Sequence, residues 1–324
     1  ADLGLVDLHG LDARGMGRKL GPGAAQRLGH FALHAADHRR GRALRRDQRD
    51  STSSRDWFAE ARWRFAPRWQ ATVGVRRSDI AFDSSDRYVA PGNPDDSGGM
   101  DYAFTSPVAG LLFEPVGGLD LYLNAGRGHE TPSASELAYR PDGASGLNDA
   151  LRPSRSDSVE AGMRLRHDGH ALGLAVFDSR TRDELVVATN EGGRSTYRNA
   201  ADTSRSGWEL SASGALGEDW HYALAWTALD ARYGDAMGGH RIPGTAARTG
   251  WAELRWTPRD GLVVFASGSG SSRVHADDDN TAWAPGHATF DLGAELEWQL
   301  GGVPLVAGLR IGNVFDRATV GSVL

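Results

Sequence analysis

From about residue 55 onward, apolar and polar residues alternate along the chain. In "WFAEARWRF", Trp57, Ala59, Ala61, Trp63 and Phe65 fall on one face, and Phe58, Glu60, Arg62 and Arg64 on the other. In "TFDLGAELEWQL", Phe290, Leu292, Ala294, Leu296, Trp298 and Leu300 oppose Asp291, Gly293, Glu295, Glu297 and Gln299. "SVEAGMRLRH" and "GWELSASGAL" repeat the arrangement through Val159, Ala161, Met163 and Leu165, and through Trp208, Leu210 and Ala212. Side chains on a strand point alternately to its two faces, so a period of two predicts half-buried strands; a helix would mix the two sets around its circumference.

The connections between these strands alternate in length. Short ones fall at 66–68, 114–118, 167–170, 217–219, 258–261 and 301–304, and long ones at roughly 81–102, 128–154, 234–247 and 273–286, with a briefer one at "NEGG". Gly, Pro, Asp and Asn dominate both sets, as turns require. About twelve strands joined as consecutive hairpins are predicted, with tight turns at one end and extended loops at the other. That asymmetry, with strands of ~9–14 residues, predicts an all-β fold: an antiparallel up-and-down transmembrane β-barrel. Aromatic residues near strand ends, among them Trp69, Tyr122, Trp220, Trp256 and Trp298, suit interfacial girdles, although any half-buried strand favours them. A soluble all-β binding module would also alternate, but it does not require every second loop to be long.

Residues 1–50 read differently. They are rich in Arg, His, Gly and Ala, contain the basic run "HRRGRALRRDQRD", and hold neither period. They are expected to be an unassigned basic leader, poorly ordered or non-native, with 51–324 forming the barrel portion. No aromatic residue interleaves with that run, so nucleic acid is not an expected partner. The formal net charge of −6 over 324 residues points the same way. No run approaches the ~18–20 apolar residues of a spanning helix, an observation blind to barrels. The absence of cysteine removes disulfides and thiolate chemistry. "ADLGLVDLHG" shows no signal peptide, so an exported protein would begin upstream.

Candidate chemistry is sparse. "HADDDN" at 275–280 groups oxygen ligands beside a histidine, but it lacks the spacing of a calcium loop and is read as a solvated acidic loop. The histidines show no metal-site spacing, and no nucleophile-elbow or phosphate-loop motif occurs. No metal, cofactor or catalytic residue is therefore assigned. An outer-membrane barrel enzyme, a lipase or protease, would need convergent catalytic groups on neighbouring strand ends. Arginine is the recurring functional group, and Lys19 is the only lysine. Arg127, His129, Arg140, Arg152, Arg194 and Arg241 fall in or beside the long loops and are the candidate ligand-binding residues. Guanidinium forks favour carboxylates, which points to a polyanionic small-molecule ligand. The alternative role, lining a lumen and pairing with Asp and Glu, stays open for each of them.

Five segments resemble the TonB-dependent outer-membrane receptors, in that family's order. "LYLNAGRGHETPSASEL" is similar to the strand running into G-F-x-x-P-x-x-x-E-L, with His129 at the aromatic position and Pro132, Glu136 and Leu137 matching. "LRPSRSDSVEAG" resembles L-x-P-E-x-S-x-x-x-E-x-G, with Ser154 replacing the usual Glu. "YRNAADTSRSGWELS", "RIPGTA" and "GNVFDRATVGSV" resemble three later segments, the last with Thr319 where Tyr is usual. "ELAYRPDGASGLN" is more similar to receptors of the pyrroloquinoline-quinone type than to catecholate receptors.

The resemblance implies a Gram-negative outer-membrane receptor, not an enzyme, importing a scarce ligand such as a ferric siderophore, ferric citrate or a carboxylated cofactor. It implies outer-membrane lipid as surroundings and a TonB complex as energy source, acting through a plug and TonB box expected outside this sequence. The family barrel has twenty-two strands, so the chain is expected to be a fragment that stops before the last strand. Glu160 and Glu209 should point into the lumen, and Gly162 and Gly207 should allow close backbone approach or a bulge. Asn313 and Asp316 should bond their own backbone where a strand leaves the bilayer.

Overall fold

The computed structural model describes residues 26–36 as main chain, and 47–324 apart from Asn93, Ser145, Gly192, Gly193, Ala200, Ala201, Ala236, Met237, Ser322 and Leu324. Nearly every described segment is strand. The first part comprises β1 (Gln26–Ala36), β2 (Asp47–Ala66), β3 (Trp69–Asp86), β4 (Gly98–Val116), β5 (Leu119–Glu130), β6 (Ser154–His167) and β7 (His170–Arg182). A short hairpin follows, β8 (Leu185–Glu191) and β9 (Arg194–Asn199), then β10 (Thr203–Leu216), β11 (Trp220–Tyr233), β12 (Arg248–Arg259) and β13 (Leu262–Ser271). The chain continues through the two-residue strands β14 (Val274–His275) and β15 (Trp283–Ala284) to β16 (His287–Leu300) and β17 (Val303–Ile311). One four-residue helix, α1 (Ala134–Leu137), lies in the loop after β5.

Thirteen of these strands make one antiparallel sheet in chain order, with β8–β9 and β14–β15 set apart as two small hairpins. It is an up-and-down meander with β1 and β17 at its edges. The twelve strands expected from alternation are those from β2 onward. The thirteenth, β1, lies within residues 1–50, and the division expected at residue 50 falls inside β2. "NEGG" does not join two strands of the main sheet; it spans the end of β8, which pairs with β9 alone, and β7 pairs directly with β10. Six tight turns occupy one end, between β2 and β3, β4 and β5, β6 and β7, β10 and β11, β12 and β13, and β16 and β17. At five of them a glycine adopts positive φ (Gly118, Gly169, Gly217, Gly261 and Gly302), a conformation that L side chains resist.

The two faces of the sheet differ as the alternation predicts. Leu292, Leu296 and Trp298 are 47%, 38% and 41% exposed, so no second protein layer covers them. They belong to an apolar outward band edged near the tight turns by aromatic pairs, with Trp69 stacked on Phe113 at 4.2 Å and Trp220 on Trp256 at 5.7 Å. Glu160 and Glu209 lie on the opposite, lumenal face by register. A Cβ at Gly162 would stand 2.5 Å from the Tyr122 ring, and one at Gly207 would stand 2.1 Å from the Ala228 carbonyl oxygen. Both glycines therefore permit a close approach that no side chain could share.

Toward the loops the outward band changes from apolar to polar at a definable position on each strand. The last apolar and first polar outward residues are Trp57 and Arg55 on β2, Val75 and Arg77 on β3, and Pro107 and Thr105 on β4. They are Ala125 and Arg127 on β5, Val159 and Asp157 on β6, and Val176 and Asp178 on β7. The series continues with Trp208 and Ser206 on β10, Ala228 and Asp230 on β11, and Gly250 and Arg248 on β12. Followed through the strand register, this boundary slips eight residues over the eight steps from β2 to β12. A slip of one residue per strand, at ~3.3 Å rise and ~4.8 Å spacing, corresponds to a tilt of about 35° between strands and the normal of a flat apolar layer. That is the tilt of transmembrane barrel strands.

Candidate functional site

The loop end holds the polar machinery, and it is ordered by side-chain contacts. The loop after β5 begins with a capping box at α1: the Ser133 N–H donates to Glu136 Oε2 at 2.7 Å, and the Ser133 hydroxyl accepts from the Glu136 N–H at 3.4 Å. This turns Leu137 inward, where it is 1% exposed. Leu137, Leu147 and Leu151 pack with Phe82 of β3 and Tyr102 of β4 into the main apolar cluster among the described residues. The Tyr102 hydroxyl closes it by donating to the Leu151 carbonyl at 3.0 Å. The loop is thus folded onto the lumenal face of β3 and β4.

Two asparagines fasten the same loop to the β8–β9 hairpin. Asn148 Nδ2 donates to the Tyr197 carbonyl at 2.9 Å. Asn199 accepts from the Arg152 N–H at 2.9 Å and donates to the carbonyls of Arg152 and Asp183 at 2.8 and 2.7 Å. A parallel arrangement joins the loop after β11 to the loop after β13. There Asn280 accepts from the Arg241 N–H and donates to the Arg241 carbonyl, both at 2.8 Å. Tyr233 donates to Asp278 at 2.9 Å.

Four of the candidate arginines are paired within this framework. Arg140 bridges Asp142 and Asp149 at 3.0 and 2.9 Å. The guanidinium and the Ala144 N–H hold the Asp142 carboxyl down at about 2. Arg152 pairs with Asp183 while remaining 69% exposed. Arg241 reaches Asp230 at 2.9 Å and Arg127 reaches Asp157 at 2.6 Å, both carboxylates on the outward face by register. His129 stacks on Phe104 at 4.7 Å and meets the Ser106 hydroxyl at 3.2 Å. Arg194 starts β9, and its side chain lies outside the described residues. Arg140 and Arg152 belong to one connected loop block, Arg241 to the other, and Arg127 and His129 to the strand wall, both on β5. In "HADDDN", Asp277 bonds Thr281 and the Ala282 N–H, a hairpin-closing role, and no group of three metal-ligating side chains occurs among the described residues.

Sequence reasoning missed the asparagine clamps and the half-buried Arg205–Glu184 pair. Their partners lie 16–49 residues away, where no periodicity can point. The one available signal was Asn199 itself, inside a segment quoted for its resemblance.

These features define a class: a tilted, antiparallel, up-and-down transmembrane β-barrel wall with tight turns at one end and ordered loops at the other. The chain belongs to the TonB dependent receptor-like β-barrel family, whose family model matches residues 14–314. Among curated proteins it is 24% identical over 259 residues to the probable TonB-dependent siderophore receptor PiuA of Acinetobacter baumannii, covering 69% of this chain and 32% of that protein. It is 25% identical over 274 residues to the probable TonB-dependent receptor BfrD of Bordetella pertussis, covering 78% and 35%. The crystal structure of the siderophore receptor PiuA from Acinetobacter baumannii superposes with a TM-score of 0.71 at 18% identity, over 85% of this chain and 40% of that one. The chain thus spans about a third of the length of these curated relatives. The relatives are receptors, not enzymes.

Proposed function

We propose that the chain contributes the wall and capture loops of a Gram-negative outer-membrane receptor for energy-coupled uptake of a scarce anionic ligand, a ferric siderophore or similar chelate. The observation that carries this reading is the pairing of a lipid-facing band at a 35° tilt with loops held inward at one end only. A wall of this kind presents fixed polar loops to the outside while its lumen offers a path across the membrane. Siderophore receptors among the relatives support the ligand class. In this reading an inner-membrane TonB complex supplies the energy.

Within the loops, Arg140 and Arg152 are the cations best placed to exchange partners. The Arg140 partners Asp142 and Asp149 are 57% and 70% exposed, so a ligand carboxylate competes with them in water, where such pairs contribute little. His129 and Arg194 complete the proposed contact set. Arg127 and Arg241 engage outward carboxylates and are left out of the contact set. The test is uptake of a radiolabelled ferric siderophore panel by whole cells with and without TonB. Uptake that needs both this protein and TonB is expected, and equal uptake in the two strains defeats the proposal.

A further inference from the structure

The outward face carries a second chemistry at the edge of its apolar band. On β5, β6, β7 and β11 the first positions beyond the band are Arg127, Asp157, Asp178 and Asp230, followed by Arg155, Arg180 and Arg232. A depression of about 630 Å³ opens here, with Val159 on its lower edge and Asp157, Asp178, Arg180, Arg182 and Ser204 around it. By register Val159, Asp178, Arg180 and Ser204 all share the lipid-facing side.

Arg180 and Arg182 in the lining, with Arg127 and Arg155 beside it, meet three carboxylates, Asp157, Asp178 and Asp202, which leaves one positive charge in surplus. One carboxylate, Asp157, is shared by Arg127 and Arg155, each at 2.6 Å. Arg180 reaches Asp178 only at 3.4 Å, with 77% of its side chain exposed. Arg182 is exposed and has no carboxylate partner among the described residues. Asp202, at the upper rim, is the remaining acid of the depression.

We propose that this depression binds the phosphate of an anionic lipid headgroup, with the acyl chains of the same molecule lying on Val159, Val176 and Trp208 below. A guanidinium offers forked donors that match phosphate oxygens, and anionic headgroups attract cations at the bilayer surface. Free phosphate would satisfy the arginines but not the apolar surface continuous with them; a lipid satisfies both. The proposal rests on the reading of the outward face as lipid-facing.

The test uses the protein extracted in mild detergent and challenged separately with phosphatidylglycerol, phosphatidylcholine and inorganic phosphate, with bound species counted by native mass spectrometry. Phosphatidylglycerol retention above phosphatidylcholine is expected, falling about tenfold in R180Q/R182Q. The lumenal control R62Q/R64Q removes the same charge and should leave retention unchanged. Equal retention of the two lipids, no loss in R180Q/R182Q, or equal loss in R62Q/R64Q overturns the proposal. Inorganic phosphate binding as tightly as the lipid also overturns it. If the double variant does not migrate as a folded species on an unheated gel, R182Q alone serves, with a smaller loss expected and no loss counting against the proposal. Quenching of Trp208 by brominated acyl chains separates the two readings. Absent quenching removes the lipid-facing reading and this proposal together, whereas quenching without arginine dependence sinks this proposal alone.

Discussion

Asn199 and Arg152, 47 residues apart, exchange two hydrogen bonds, the Arg152 N–H donating to Asn199 Oδ1 and Asn199 Nδ2 donating to the Arg152 carbonyl. One side chain thereby satisfies a backbone donor and acceptor that no strand pairs. Removing it leaves three polar main-chain groups without their partner, at a cost of about 1–3 kcal/mol for those that stay dry. Asn199→Ala is expected to speed hydrogen exchange in 147–153 and 183–199 without changing exchange in β2–β5. Unchanged loop protection would show that the clamp contributes nothing.

Leu137 anchors the other side of the same loop. Truncation to Ala in a buried site costs about 2–5 kcal/mol. Leu137→Ala should therefore expose the 131–153 loop to limited proteolysis at protease concentrations that leave the parent intact. Met at this position should be tolerated, because it refills most of the volume. Equal cleavage of parent and Ala variant would contradict the packing described here.

The two faces of β16 predict opposite responses to the same new charge. Leu292 lies in the apolar band, and Glu295 lies on the lumenal side. An arginine facing lipid near the bilayer midplane costs about 2–4 kcal/mol, and less toward the interfaces. Leu292→Arg should lower the denaturant midpoint in reconstituted protein, and Glu295→Arg should move it far less. Equal shifts would mean that lipid does not touch Leu292.

Acid should loosen one loop before the wall. The Arg140 guanidinium and the Ala144 N–H stabilise the charged Asp142, holding its carboxyl at about 2, below the ordinary value of about 3.9. A lowered folded value contributes stability that is complete above the ordinary value and fades as pH falls through about 2. Hydrogen exchange in 139–150 should stay level from neutral pH down to about 4 and then, after correction for intrinsic rates, rise toward pH 2. Arg140→Gln should flatten that acid step; a step of the same size in the variant would assign it elsewhere.

Much of the wall was legible from residue order because its determinants are local. A lipid-facing residue and its lumen-facing neighbour are adjacent in sequence, so Leu292 beside Asp291 announces two environments without reference to the rest of the chain. The tight turns were legible for the same reason, through glycines that tolerate positive φ. "NEGG" misled because the strands on either side of it do pair, β8 with β9; only the pairing of β7 with β10 shows that this hairpin leaves the sheet. β1 escaped because its stretch lacks a sustained period, so pairing with β2 identifies it where patterning does not. In the loops, arginine content was visible but its commitments were not. Whether Arg140 is available to a ligand depends on Asp149, which the fold alone brings within 2.9 Å.

The one-residue slip also bears on the width of the assembly. At a tilt of about 35° each strand occupies roughly 5.9 Å of circumference, so thirteen strands take up about 75 Å of arc. Eight strands, by the same geometry, enclose an interior just wide enough for side chains to fill. A wall already longer than that perimeter cannot plug its own hollow. Whatever occupies the concave side, whether solvent, cargo or a separate folded body, must be something other than the residues that line it.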